Sequence, residues 1–87
     1  MDISVHFFAV YGDRSGTKFT NIALPTNATV ETLVNAILAL YPNLVSDSQH
    51  LVVAVNSEYA DYDLELSHGD EVALIPPVSG GSDDQTN

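Results

Sequence analysis

From Ile3 to Tyr11 the chain alternates: Ile3, Val5, Phe7, Ala9 and Tyr11 fall on one face, and Ser4, His6, Phe8 and Val10 on the other. Period-two alternation rich in β-branched and aromatic residues predicts a strand. Residues 12–17 are turn chemistry, with Gly12 and Gly16 free to take positive φ. Residues 18–24 predict a second strand, so the two form a hairpin with a six-residue loop.

The pattern then changes period. Val30, Leu33, Val34, Ile37, Leu38 and Tyr41 recur at helical spacing, with Leu40 beside the stripe and Glu31, Thr32, Asn35 and Ala39 opposite it. This predicts one amphipathic helix lying on a sheet. Thr29 is its candidate N-cap, Glu31 puts negative charge in its first turn, and Pro42 ends it by removing a donor. A polar loop follows over residues 43–50, with Leu44 and Val45 as an apolar insert. Residues 51–56 predict a buried strand, residues 58–62 a short extended piece after a turn, and residues 71–76 a last strand after the turn Ser67-His68-Gly69-Asp70. Nothing periodic follows. Residues 1–77 therefore predict one α+β domain, and residues 78–87 a flexible C-terminal tail.

Composition narrows the chemistry. Eighty-seven residues make one small domain, and 45% hydrophobic content suffices for a core. No apolar run reaches the ~20 residues of a membrane helix, and no basic-then-apolar leader opens the chain, so a cytoplasmic protein without membrane contact is expected. The sequence has no cysteine, which removes disulfides, zinc–thiolate sites and iron–sulfur ligation. The net charge is −10, with Arg14 and Lys18 the only basic residues, so nucleic acid is not an expected partner. The acidity is consistent with solubility, with a salty cytosol, or with steering toward a basic partner.

The reactive candidate is the C-terminal run. Gly80 and Gly81 lack side chains and can thread a narrow channel, while Pro76 and Pro77 hold the exit from the last strand extended. The bland alternative is a Gly/Ser linker. Residues 69–81, Gly-Asp-Glu-Val-Ala-Leu-Ile-Pro-Pro-Val-Ser-Gly-Gly, resemble the C-terminal signature of the small subunit of molybdopterin synthase. Val53-Ala54-Val55-Asn56, residues 66–70, the opening Val5-His6-Phe7-Phe8-Ala9 and the helix start over residues 25–30 fit the same ubiquitin-like sulfur-carrier family, so the resemblance spans residues 3–81.

The resemblance implies a β-grasp fold: a mixed sheet with one main helix packed on it, and the first and last strands parallel at its centre. It also implies a function. An adenylating, E1-like partner uses ATP to activate the carboxylate of Gly81, and sulfur displaces AMP to give a thiocarboxylate. The tail, Pro76, Pro77, Val78, Ser79 and Gly80, then carries the thiocarboxylate into the large synthase subunit, which builds the molybdopterin dithiolene. No cofactor is bound by the carrier, and it is not an enzyme on its own. The thiamine-thiazole sulfur carriers and ubiquitin-like protein modifiers use the same tail and remain alternatives. One departure stands out: six residues follow Gly81, so its carboxyl group is an amide as encoded. Cleavage after Gly81 by a protease is the first explanation. The others are an appended, non-natural extension and a relative that no longer carries sulfur.

Strand alternation puts Val72 and Leu74 toward the helix, and Ala73, Ile75 and Phe8, with Val10, on the other side. Phe8, Ala73 and Ile75 are thus a candidate partner interface, the alternative being a second small core under the loop of residues 42–50. His6, His50 and His68 are scattered, so no metal site is expected. Asp61, Asp63 and Glu65 read as a solvated face that could meet a basic partner. Arg14 reads as a loop charge, and Ser79 has no base beside it to make it a nucleophile.

Overall fold

The computed structural model describes residues 1–44 and 51–76. Its elements in chain order are β1 (Asp2–Phe7), α1 (Val10–Ser15), β2 (Phe19–Ala23), α2 (Val30–Leu40), β3 (Val52–Val55), β4 (Glu58–Tyr59) and β5 (Glu71–Ile75). The strands form one sheet in the order β2-β1-β5-β3-β4. β1 and β5 run parallel, Phe7 opposite Leu74, and the other pairs are antiparallel. This is the β-grasp arrangement.

α2 follows from its sequence. The Thr29 hydroxyl accepts from the Thr32 amide at 3.4 Å, and Val30, Leu33, Val34 and Ile37 are all buried. They meet Ile3, Val5 and Phe7 of β1, Val53 and Val55 of β3, and Val72 and Leu74 of β5 in one core. Leu44 joins that core fully buried, while the rest of its predicted loop, residues 45–50, lies outside the described residues.

The expected hairpin pairing is observed, β1 antiparallel to β2, but the first strand is shorter and the loop is not a six-residue turn. β1 stops at Phe7, where Ala9 turns to φ 52, and residues 10–15 form a short helix closed by Gly16 at φ 78. Gly16 is therefore the left-handed glycine of this corner, and Gly12 is helical. The misreading has a simple cause: Phe7 and Tyr11 share a face at period two and also, four apart, on a helix. Tyr11 is buried either way, but α1 puts it there. Val10, expected beside Phe8 on a strand, instead opens α1.

Two polar loops fix the start of β5. Asn56 and Ser57, both at positive φ, join β3 to β4 in a two-residue turn. The Asn56 side chain accepts from the Glu71 amide and donates to the Asp70 carboxylate, each at 3.0 Å, while Asp70 also accepts from the Ser67 amide at 2.8 Å. Gly69, at φ 86, makes that turn possible.

Candidate functional site

β5 is a central strand, flanked by β1 and β3, and it carries the tail. Val72 and Leu74 anchor it to the core with no exposed surface. The chain therefore leaves the sheet at Pro76 from a rigid base. Pro77, Val78, Ser79, Gly80 and Gly81 lie outside the described residues.

Among the described residues, no helix covers the sheet face opposite α2. Register places five residues in one row across it: Tyr59 opposite Ala54, Ala54 opposite Ala73, Ala73 opposite His6, and His6 opposite Phe19. Directly opposed residues share a face, so the row is aromatic at both edges and small in the middle. The stretch from Tyr59 to His6 forms a trough of about 470 Å³, lined also by Phe8, Ile75 and Glu71, with Phe19 beyond His6. Phe8 is 51% exposed and Tyr59 77%. His6 stacks on Phe8 with ring centres 6.4 Å apart, and meets Phe19 at 5.1 Å.

The structure thus brings Phe8, Ala73 and Ile75 together on one surface, immediately beside the root of the tail. Sequence reasoning missed Tyr59 and Phe19. Their signal, an exposed aromatic just after a turn on each outer strand, acquires meaning only through the register. An open trough of this kind, apolar with His6, Ser57 and Glu71 as its polar members, is chemically a docking surface that offers burial of apolar area.

The remaining candidates stand apart. The His68 Nδ1 accepts from the Asp2 amide at 3.0 Å, at the end of β1 away from His6, and His50 lies outside the described residues. Arg14 donates to the Leu44 carbonyl at 3.0 Å, tying α1 to the segment after α2. Asp61, Asp63 and Glu65 are exposed along the chain after β4. Among the described residues no helix is long and apolar enough to cross a membrane.

Comparison with known proteins fits this geometry. A molybdopterin synthase sulfur carrier subunit of Chlamydomonas reinhardtii is 41% identical over 83 residues, covering 93% of this chain and all of that one. The human protein of the same name is 33% identical over 82 residues, covering 91% and 93%. Among solved structures, a putative molybdopterin converting factor subunit 1 from Pyrococcus furiosus superposes with a TM-score of 0.82 at 28% identity, over 90% of this chain and 99% of that one. SAMP1 from Haloferax volcanii superposes with a TM-score of 0.81 at 29% identity, over 93% and 100%. A complex of subunits 1 and 2 of the molybdopterin-converting factor from Helicobacter pylori gives 0.66 at 27%, over 93% and 100%. The model of the ThiS family matches residues 5–81, ending on the second glycine. The chain belongs to the ThiS family.

Proposed function

We propose that this chain is the sulfur-carrier, small subunit of molybdopterin synthase. It is not catalytic alone and works with a large subunit. The observation that carries the reading is the family match ending at Gly81, on a tail rooted in a central strand beside an apolar trough.

The division of labour follows from the chemistry. A carboxylate is a poor acyl donor; joined to AMP through an anhydride it becomes a good one. The adenylating partner spends ATP to make that anhydride at Gly81 and releases pyrophosphate. A sulfur nucleophile adds to the acyl carbon, AMP leaves, and the thiocarboxylate remains. With no cysteine in the sequence, the terminal carboxyl is where this chain can hold sulfur. The trough of Phe8, Ala73 and Ile75 seats each partner in turn while Pro76 to Gly80 thread its channel. A cytoplasmic setting, where ATP is at hand, suits this reaction.

Gly81 acts only as a free carboxylate, so a protease first cuts between Gly81 and Ser82. The test compares the full chain with one ending at Gly81, each mixed with the adenylating enzyme. The shortened chain is expected to support ATP–pyrophosphate exchange and to gain a thiocarboxylate by mass when sulfur is supplied; the full chain is expected to do neither. An active carrier isolated with residues 82–87 still attached would overturn the cleavage step.

A second reading is favoured by one observation, the likeness to SAMP1, a small archaeal modifier protein. The same activated Gly81 can acylate a lysine of another protein, making the chain a modifier as well as a carrier.

A further inference from the structure

The sheet has two edges, β4 and β2, and they differ. β4 is two residues long, and both Glu58 and Ala60, whose amide donates to the Val53 carbonyl, turn toward β3, so Tyr59 alone faces outward. β2 is longer, and its residues Phe-Thr-Asn-Ile-Ala carry no charge. The Phe7 amide donates to the Lys18 carbonyl at 2.9 Å, and Leu24 and Met1 exchange two bonds at 2.8 and 2.7 Å. Antiparallel ladders alternate, so Lys18, Thr20, Ile22 and Leu24 turn their backbone groups toward β1, and Phe19, Asn21 and Ala23 turn theirs to the outer edge. At Phe19 that edge is already closed. The Thr17 hydroxyl donates to the Phe19 carbonyl at 2.9 Å and accepts from its amide at 3.3 Å. Beyond Leu24, Pro25 has no N–H, and its carbonyl accepts from the Ala28 amide at 3.2 Å. Between these stops, the amides and carbonyls of Asn21 and Ala23 have no partner among the described residues. Both residues are exposed. An uncharged edge of this kind is a template for another strand.

We propose that two copies of this chain pair antiparallel through the outer edge of β2, about a two-fold axis at Ile22. The edge is its own complement. In this register Asn21 stands opposite Ala23 of the second copy, and each such pair exchanges two N–H···O=C bonds. Phe19 meets Pro25 of the second copy, and neither is left wanting a bond, since Thr17 and Ala28 already serve them. Sliding the pairing by two residues either way keeps only one bonded pair, so the register is fixed. Directly opposed residues share a face, so both troughs open on the same side of the joined sheet. In each copy β1 and β2 separate β5 from the junction, which leaves the root of the tail free. The pair thus presents two docking surfaces side by side. Charge opposes it: two chains of −10 repel, so salt strengthens this pairing while it weakens attraction to a basic partner. The proposal does not use Gly81 and is independent of the carrier reading.

The experiment uses the full chain. In sedimentation equilibrium the mean mass is expected to rise from 9.3 kDa toward twice that value at about 1 mM protein as the salt is raised to about 1 M. Amide hydrogen exchange followed by NMR locates the contact. The Asn21 and Ala23 amides are expected to slow by at least about tenfold between dilute and concentrated samples, and the Phe19 amide, held by Thr17, to stay unchanged. Asn21→Pro removes an outward donor and breaks no backbone bond within the chain, so it is expected to stay at 9.3 kDa with its melting temperature nearly unchanged. Should that variant fail to fold, the exchange pattern of the wild type still decides. A mass of 9.3 kDa at every concentration and salt would overturn the pairing, as would a dimer persisting in folded Asn21→Pro. So would a dimer that shields Phe8 and Tyr59 while Asn21 and Ala23 exchange freely, which would mean that the troughs meet instead.

Discussion

Tyr11 sits in the core at 1% exposure, and its hydroxyl has no hydrogen-bond partner among the described residues. Burial pushes its phenol above the ordinary value of 10.0, with the nearby Arg14 charge offsetting part of the rise. Burial likewise raises Tyr62, whose hydroxyl donates to the Leu51 carbonyl at 2.8 Å. The sign for stability follows from linkage. Both phenols stay neutral in the folded chain to a higher pH than in the unfolded chain. The stability tied to them is complete below about pH 10 and drains away as the pH rises through the folded values. Urea unfolding followed from pH 8 to pH 11 is expected to show a steep alkaline loss, made shallower by Tyr11→Phe. An unchanged alkaline slope in that variant would show that the tyrosine is not the group responsible.

Strand β5 does two jobs with its two faces, and they separate by mutation. Leu74 is fully buried against the helix side, so Leu74→Ala is expected to cost about 2–5 kcal/mol of stability. Partner affinity, measured where the variant is still folded, should change little. Ile75 lies half-exposed in the trough, so Ile75→Asp is expected to weaken large-subunit binding by at least about tenfold with little change in melting temperature. Calorimetry beside a binding titration checks both; equal loss of stability in Ile75→Asp would make the trough a second core. The alternation Glu71-Val72-Ala73-Leu74-Ile75 was enough to foresee these two faces, as the spacing from Val30 to Ile37 with Thr29 ahead was enough for α2. Both signals are local and have one period each. The corner at residues 8–16 was not legible, because an apolar run that satisfies two periods at once is decided by the backbone turn at Ala9. Nor was the row Tyr59–Ala54–Ala73–His6–Phe19, since its members come from five strands and only register aligns them. The parallel centre came from family resemblance, and periodicity has no access to strand order.

For the molecule as a whole, charge and shape divide the work of association. The full chain carries a net charge of −10, of which Asp83 and Asp84 leave with residues 82–87, and it presents an apolar trough whose own contacts hold the complex once formed. The exposed Asp61 and Asp63 follow β4, whose Tyr59 rims that trough, so negative potential lies beside the docking surface. Long-range attraction acts on the encounter, and short-range burial on the lifetime. Raising the ionic strength from about 0.01 M to about 1 M shortens the screening length from roughly 30 Å to roughly 3 Å. The association rate with a large subunit should therefore fall steeply over that range, and the dissociation rate much less. Asp61→Asn with Asp63→Asn should lower the low-salt association rate several-fold and leave dissociation nearly unchanged. Stopped-flow mixing at several salt concentrations reads both rates. An association rate indifferent to salt and to these two residues would leave the acidity with a role in solubility alone; a change confined to dissociation would instead place the two aspartates inside the contact.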